Sequence, residues 1–106
     1  GASLIFNETV SEYSATITVD KYGVPSNSYT FIKTYKVYWE AIGNEIALRQ
    51  YGYQKDVNFR MFSTFAPTLG NYVKYNDEFY LIVRVIAVKP KTRVHHYESL
   101  LTLYET

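Results

Sequence analysis

The chain contains no cysteine, no long apolar run and no large excess of charge of either sign. The absence of cysteine excludes a disulfide framework, a thiolate metal site and a cysteine nucleophile. No stretch approaches the roughly eighteen apolar residues that a membrane-spanning helix needs, so we expect no membrane contact. Lysine and arginine number 11 and aspartate and glutamate 10, and this balance argues against a dedicated nucleic-acid binder or a basic membrane-surface domain.

The length of 106 residues fits a single domain, residues 1–106, and leaves no room for a second one. The sequence shows no internal repeat, low-complexity tract or linker. Its opening, Gly1-Ala2-Ser3, lacks both an initiator methionine and the layout of a signal peptide. These three residues are typical of a remnant of cloning, and they take no part in the prediction of the fold.

Aromatic residues are abundant: twelve tyrosines, six phenylalanines and one tryptophan. Tyrosine is common in strands, and it is also common on surfaces that contact another protein, because its ring is apolar and its hydroxyl tolerates water. Two interpretations stay open, a tyrosine-rich β domain and a partner-binding surface built on such a domain.

Alternation of apolar and polar residues predicts a mainly β protein. In the first strand the odd-numbered residues from Tyr13 to Val19 share one face, which we expect to be half-buried, and Trp39 is expected to anchor the core. The turn at 76–78 predicts a β-hairpin. Short strands at this spacing, about six in all, indicate a small antiparallel β-barrel or sandwich with one short helix. The predicted strand segments are 12–20, 26–34, 36–42, 56–64, 72–75, 79–88 and 94–104.

The short helix is predicted at 45–51, within a helical or loop insertion at 43–56. Asn44 is a candidate N-cap, Glu45 suits the positive end of the helix dipole, and Gly52 is a candidate C-terminal stop. Two turns of helix are marginal alone. Either packing holds this segment, or it orders only on contact with a partner.

The sequence offers little for catalysis or metal binding. His95 and His96 are the only histidines, and neighbouring strand residues point to opposite faces, so we expect them not to share an ion. There is no glycine-rich phosphate-binding motif, and no serine has a histidine and an acid at a believable offset. The carboxylates are scattered. We therefore expect no enzyme activity, no metal and no cofactor.

One basic cluster stands out, formed by Lys89, Lys91 and Arg93 with the two histidines after them. Such a loop beside exposed tyrosines could follow a phosphate backbone while the rings stack on bases, as in a small β-barrel module that binds single-stranded nucleic acid. The alternative is a solvated turn whose lysines protect a sheet edge. Binding that weakens steeply with salt would distinguish the first from a contact made by tyrosines.

Five segments taken in order resemble one protein family: the turn DKYG (20–23), the strand VYWEAI (37–42), the helical stretch 44–54, the strand FRM (59–61) and the hairpin VKYNDEFYLIVRV (73–85). They are similar to the head-tail joining proteins of tailed bacteriophages, namely the head-closure or stopper subunits of the neck. The resemblance extends from about residue 12 to residue 105. A sister role, such as a tail terminator or another neck subunit, stays open because those proteins share a small β-rich architecture.

The resemblance implies a small β-barrel that forms a ring at the portal vertex of the virion, assembled in the host bacterial cytoplasm. Its partners would be the portal and adaptor proteins, the tail proteins and further copies of itself, with possible contact to the packaged DNA. The ring would help to retain that DNA and would offer the platform on which the tail attaches. No catalysis or cofactor is implied.

The resemblance also suggests which residues make contacts. A segment between the early strands and the central strand tends to face the channel or a neighbouring subunit, and it corresponds to 43–56 here. The candidate residues there are Glu45, Arg49, Tyr51, Tyr53 and Lys55, in a segment that looks too short to form core. Loops at barrel ends meet partners. The candidate docking residues in such loops are Tyr22, Val24, Lys89, Lys91 and Arg93.

Overall fold

The computed structural model describes residues 6–90 and 95–104, which form six β-strands and one α-helix. The predicted fold class, mainly β with one short helix, is confirmed. In chain order the elements are β1 (Glu8–Val19), β2 (Pro25–Ala41), α1 (Asn44–Tyr51), β3 (Phe59–Ser63), β4 (Tyr72–Tyr75), β5 (Glu78–Val88) and β6 (His96–Tyr104).

The strands form a closed barrel in the order β1-β2-β3-β6-β5-β4, and each neighbouring pair is antiparallel. The predicted hairpin between β4 and β5 is present. Asn76 and Asp77 both adopt positive φ, 50° and 64°, as the central residues of a type I′ turn require. Local turn chemistry therefore sets this register, in which Tyr75 lies opposite Glu78.

The main core fills the barrel, and every strand contributes to it. Trp39 packs against this core, with its ring stacked 4.2 Å from that of Tyr75 and edge-on to that of Tyr80 at 5.1 Å. Its predicted role as an anchor is confirmed. Each strand contributes one fully buried apolar side chain to this core, namely Val10, Val37, Met61, Val73, Ile82 and Leu101.

A second, smaller core lies beneath α1, where Ala47 is fully buried against Ile42, Val57 and Leu100. The helix ends at Gly52, as predicted, because this residue adopts φ +68° and donates its N–H to the carbonyl of Leu48. Packing of this kind is the expected way for so short a helix to be held.

The predicted N-cap of α1 is wrong by one residue, because Gly43 occupies that position and Asn44 already belongs to the helix. The Asn44 side chain instead accepts a hydrogen bond from the backbone N–H of Val57 and donates one to Asp56, both at 2.9 Å. These bonds tie the start of the helix to the end of the loop that follows it, so the asparagine closes the insertion rather than capping the helix.

Two predicted strand segments, 26–34 and 36–42, form one strand, β2. No glycine or proline separates them. Tyr35, at the expected break, is buried and donates its hydroxyl to the Glu12 carboxylate at 2.8 Å. A β-bulge does occur nearby, since Glu12 pairs with Lys33 and the next residue of β1 pairs with Phe31.

The expected burial of the odd-numbered face of β1 is wrong. Val10 and Glu12 are the residues of β1 that are buried in the barrel, whereas Ile17 and Val19 are 70% and 64% exposed. The alternation identified the two faces correctly but not which of them points inward. Burial is decided instead by the neighbouring strands, and beyond Tyr13 β1 no longer pairs with β4.

Candidate interaction surface

A β-hairpin projects from the barrel, and we call residues 14–30 the arm. β1 pairs with β4 only from Ser11 to Tyr13, and β2 pairs with β3 only from Val37 to Ala41. Between these contacts and the turn, the two strands pair only with each other. The arm therefore has two open edges, and the molecule is elongated, measuring 56 × 28 × 28 Å.

The tip of the arm is a tight turn built by Asp20. Its carboxylate accepts hydrogen bonds from the backbone N–H groups of Tyr22 and Val24 at 2.8 and 2.9 Å, and Gly23 adopts φ +79°. These are the features that the DKYG sequence predicts for a turn. The turn holds Tyr22 and Val24 at the tip of the arm, at 78% and 56% exposure.

The arm has two chemically different faces. One carries only small hydroxyl side chains, and Thr18 and Ser26 hydrogen-bond across it at 3.0 Å. The bulge in β2 is what keeps the hydroxyl residues of both strands on this face, because it changes the phase of β2 relative to β1. The opposite face carries Ala15, Ile17 and Val19. The hydroxyl residues are Ser14, Thr16, Thr18, Ser26, Ser28 and Thr30.

An aromatic patch lies at the base of the arm, on the outside of the barrel. The ring of Tyr29 is stacked 4.9 Å from that of Phe79, and Tyr13 contacts Phe79 edge-on at 5.6 Å. Asn27 donates a hydrogen bond to the Tyr104 hydroxyl at 2.9 Å, which ties the arm to β6. Burial and the neighbouring Tyr104 raise the pKa of Tyr29. The patch consists of Tyr13, Tyr29, Phe31, Tyr72, Phe79 and Tyr104.

The candidate residues Glu45 and Arg49 lie on the exposed side of α1. Arg49 donates a hydrogen bond to Glu45 at 2.7 Å, one helical turn away, and both side chains are exposed. An exposed pair of this kind contributes little to stability. Both residues are therefore accessible to a neighbour, and their assignment as contact residues stays a prediction.

Tyr51 occupies a different environment, at the centre of a half-buried polar network. Its hydroxyl accepts a hydrogen bond from Arg60 at 2.9 Å and donates one to Glu98 at 3.2 Å. Arg60 also donates to the Glu40 carboxylate and to the Gln50 side chain. Burial raises the pKa of Tyr51, although its hydrogen bond with Arg60 opposes the shift. This network connects α1 to β2, β3 and β6.

The premise that the 43–56 segment is too short to form core is wrong. Tyr51 and Tyr53 are both half-buried and pack against the second core. Tyr53 and Lys55 also line an open groove of about 520 Å³, whose other walls are Leu69, Gly70 and β5. The structure thus brings Tyr53 and Lys55 together in one groove and gives Tyr51 a structural role, and no observation tests their contact with another molecule.

Of the residues in the basic cluster, Lys89 is exposed just beyond β5, while Lys91 and Arg93 lie outside the described residues. The expectation that the two histidines diverge is wrong. Nδ1 of His95 is 2.8 Å from Nδ1 of His96, because His95 precedes β6 and does not follow the alternation of a strand. Among residues 6–90 and 95–104, no three His, Asp or Glu side chains gather as metal ligands would.

Two of these features have no complete signal in the sequence. Glu40, Arg60 and Glu98 lie on three different strands, and no local pattern predicts that they surround one tyrosine hydroxyl. The sequence predicts the two strands and the turn of the arm, but the projection of the arm from the barrel depends on where pairing with β3 and β4 stops. The strand lengths give a partial signal, because β2 has 17 residues and β3 only five.

Fold and surface together define a small closed β-barrel with a projecting hairpin arm. No protein-family model matches the chain, and no curated protein does. Among solved structures it is similar to the solution structure of protein SF1141 from Shigella flexneri 2a, a structural genomics target, with a TM-score of 0.65 over 92% of each chain. The two sequences are 10% identical, so this similarity concerns the fold. Among the described residues, no helix has the length and apolar character of a membrane span.

Proposed function

We propose that this chain is a structural protein of a tailed-phage virion, a ring-forming subunit that joins the portal to the tail and helps to retain the packaged DNA. The role needs no catalysis and no cofactor. Its partners would be portal or adaptor proteins, tail proteins and further copies of the chain. It rests on the sequence resemblance to head-tail joining proteins, which are small β-barrels.

The arm is the structural feature that supports assembly into a ring. This β-hairpin extends beyond its own barrel and exposes Ile17 and Val19 on one face, where a partner could cover them. Exposed loops and hairpins on a rigid scaffold commonly carry binding sites. A subunit that joins rings needs such a surface in addition to its core.

Antibody labelling of virions from the producing host tests the role directly. We expect gold label at the head-tail junction. Label elsewhere on the particle would refute the neck position, and particles without label would refute the structural role and favour a nucleic-acid-binding or other interaction module.

The proposed contacts of α1 can be tested in the same particles. Arg49→Glu removes the exposed ion pair with Glu45 and should impair ring assembly if this face meets a neighbour. The matched control combines Glu45→Arg with Arg49→Glu, which restores the pair within the helix but exchanges its charges. If both variants assemble and retain DNA like the unmodified chain, this face makes no such contact.

A further inference from the structure

We propose that the arms of successive copies of this chain pair edge to edge, with the β1 edge of one arm hydrogen-bonded to the β2 edge of the next. The inference deepens the proposed function and rests on it, because it names how one subunit of the ring holds the following one. The occupant of the open arm edge is therefore a second copy of the chain.

The backbone of the arm directs N–H and C=O groups to its open edges. The N–H of Asp20 donates to the carbonyl of Val24 at the end of the hairpin, so this pair is a hydrogen-bonded one. In an antiparallel ladder such pairs alternate with non-bonded pairs, whose N–H and C=O groups point away from the partner strand. By this alternation Ile17 and its register partner Asn27 direct these groups to the open edges.

The geometry of the hairpin allows the pairing to repeat. β1 and β2 run antiparallel within one arm. When copies are related by rotation, their arms share one orientation, so β1 of one copy lies antiparallel to β2 of the next. The two edges are different surfaces, which makes the contact heterologous, and heterologous contacts generate rings when the rotation closes. The apolar faces of all the arms then lie on one side of a continuous sheet.

Apart from Pro25 at the start of β2, the strands of the arm lack the features that prevent edge pairing in monomeric proteins. Natural edge strands are usually protected by charges, lysine or proline. Residues 14–19 of β1 contain none of these, and Pro25 is at the start of β2. Asp20 and Lys21 are the charged residues of the arm, and together they carry no net charge. Identical arms therefore approach each other without repulsion.

The molecule also exposes more surface than a compact chain of its size. The chain exposes 7060 Å², whereas a compact monomer of 12.4 kDa is expected to expose about 6,100 Å². A projecting hairpin that nothing covers adds exposed surface of this kind. The radius of gyration, 15.1 Å, likewise exceeds the value of about 13 Å expected for a compact chain of this length.

Cysteine cross-linking tests the arrangement cleanly because the chain has no cysteine of its own. Single cysteines are placed on the hydroxyl face, in β1 at Ser14, Thr16 or Thr18 and in β2 at Ser26, Ser28 or Thr30. Mixtures of a β1 variant with a β2 variant, in purified full-length chain, should form covalent dimers under mild oxidation at one register. Each variant alone should give no more dimer than Thr64→Cys, an exposed control outside the arm.

A second measurement uses Ile17→Lys, with Thr16→Lys as its matched control. A lysine on the apolar face beside the edge should raise the protein concentration needed for association about tenfold, as measured by sedimentation. The same charge on the hydroxyl face should change it much less. Both positions are exposed, so neither variant should unfold the barrel.

The outcomes separate the inference from the proposed function. If β1 thiols cross-link only with each other, the pairing of a β1 edge with a β2 edge is wrong. It is also wrong if no arm variant cross-links more than the Thr64→Cys control. Virions labelled at the neck would leave the proposed function standing in both cases. Cross-links between β1 and β2, without label at the neck, would support arm pairing and overturn the neck role.

Discussion

Removal of the buried Glu12 carboxylate should destabilise the barrel strongly. The carboxylate has no exposed surface, and it accepts hydrogen bonds from the Tyr35 hydroxyl and the Asn71 side chain, both at 2.8 Å, and from the backbone N–H of Thr68 at 3.3 Å. A buried acid is tolerated when such donors surround it. These bonds connect β1, β2 and the loop before β4.

The expected magnitudes follow from what each substitution leaves behind. Tyr35→Phe removes one hydrogen bond to a charged group, so the free energy of unfolding should fall by about 1.5 to 3 kcal/mol. Glu12→Ala leaves three donors without an acceptor and a cavity between them, and it should cost about 3 to 5 kcal/mol. The double variant should cost less than the sum, because the tyrosine hydroxyl is no longer left unpaired.

Urea denaturation followed by tryptophan fluorescence measures these differences, since Trp39 is the only tryptophan and packs against the barrel core. Tyr22→Phe, at the exposed tip of the arm, removes the same hydroxyl with an expected effect within about 0.5 kcal/mol. If Tyr35→Phe is no more destabilising than Tyr22→Phe, or if the effects of Tyr35→Phe and Glu12→Ala simply add, the hydrogen bonds of Glu12 do not hold the barrel together.

Three further predictions follow from the structure. First, burial and the Glu12 carboxylate raise the pKa of Tyr35 above 10.0. Above about pH 10 only the unfolded chain releases this proton, so the free energy of unfolding should fall as the pH rises. Tyr35→Phe should lessen this fall by about 1.4 kcal/mol per pH unit, as measured by urea titrations. Second, Gly52→Ala should cost about 1 kcal/mol and Gly52→Asn less, because asparagine tolerates positive φ; equal costs in thermal unfolding would contradict this. Third, Arg60→Ala should lower the free energy of unfolding by about 2 kcal/mol and speed amide hydrogen exchange in α1. Arg49→Ala, at an exposed position, should lower it by about 0.5 kcal/mol or less. Unchanged exchange in Arg60→Ala would show that the Arg60 network does not hold the helix.

The sequence predicted the elements whose chemistry is local. The turns at Asp20 and Asn76, the stop at Gly52 and the β class all depend on neighbours within a few residues, and all are confirmed. Alternation also separated the apolar and hydroxyl residues of the arm. These features could be predicted because turn geometry and strand period are properties of short segments.

The remaining features depend on residues far apart in the chain. Asn71, one of the partners that make Glu12 a core residue, lies 59 positions away, and Glu98 lies 47 positions from Tyr51. No local pattern shows that the even-numbered residues Val10 and Glu12 are the ones that face the core, or that pairing with β4 stops at Tyr13 and leaves the rest of β1 outside the barrel. The sequence therefore predicts Glu45, Arg49 and Tyr51 as one group of contact residues. The structure instead separates the exposed Glu45–Arg49 ion pair from the half-buried Tyr51.

The alternating faces of the arm limit how its length can change. Each residue adds about 3.3 Å to a strand and reverses the side on which the next side chain lies. Deleting one residue from each strand would move Val19 to the hydroxyl side, whereas deleting two from each would keep both faces intact and shorten the arm by about 7 Å. The reach of this hairpin can therefore be adjusted only in steps of about 7 Å, and related proteins with longer or shorter arms should differ by even numbers of residues in each strand.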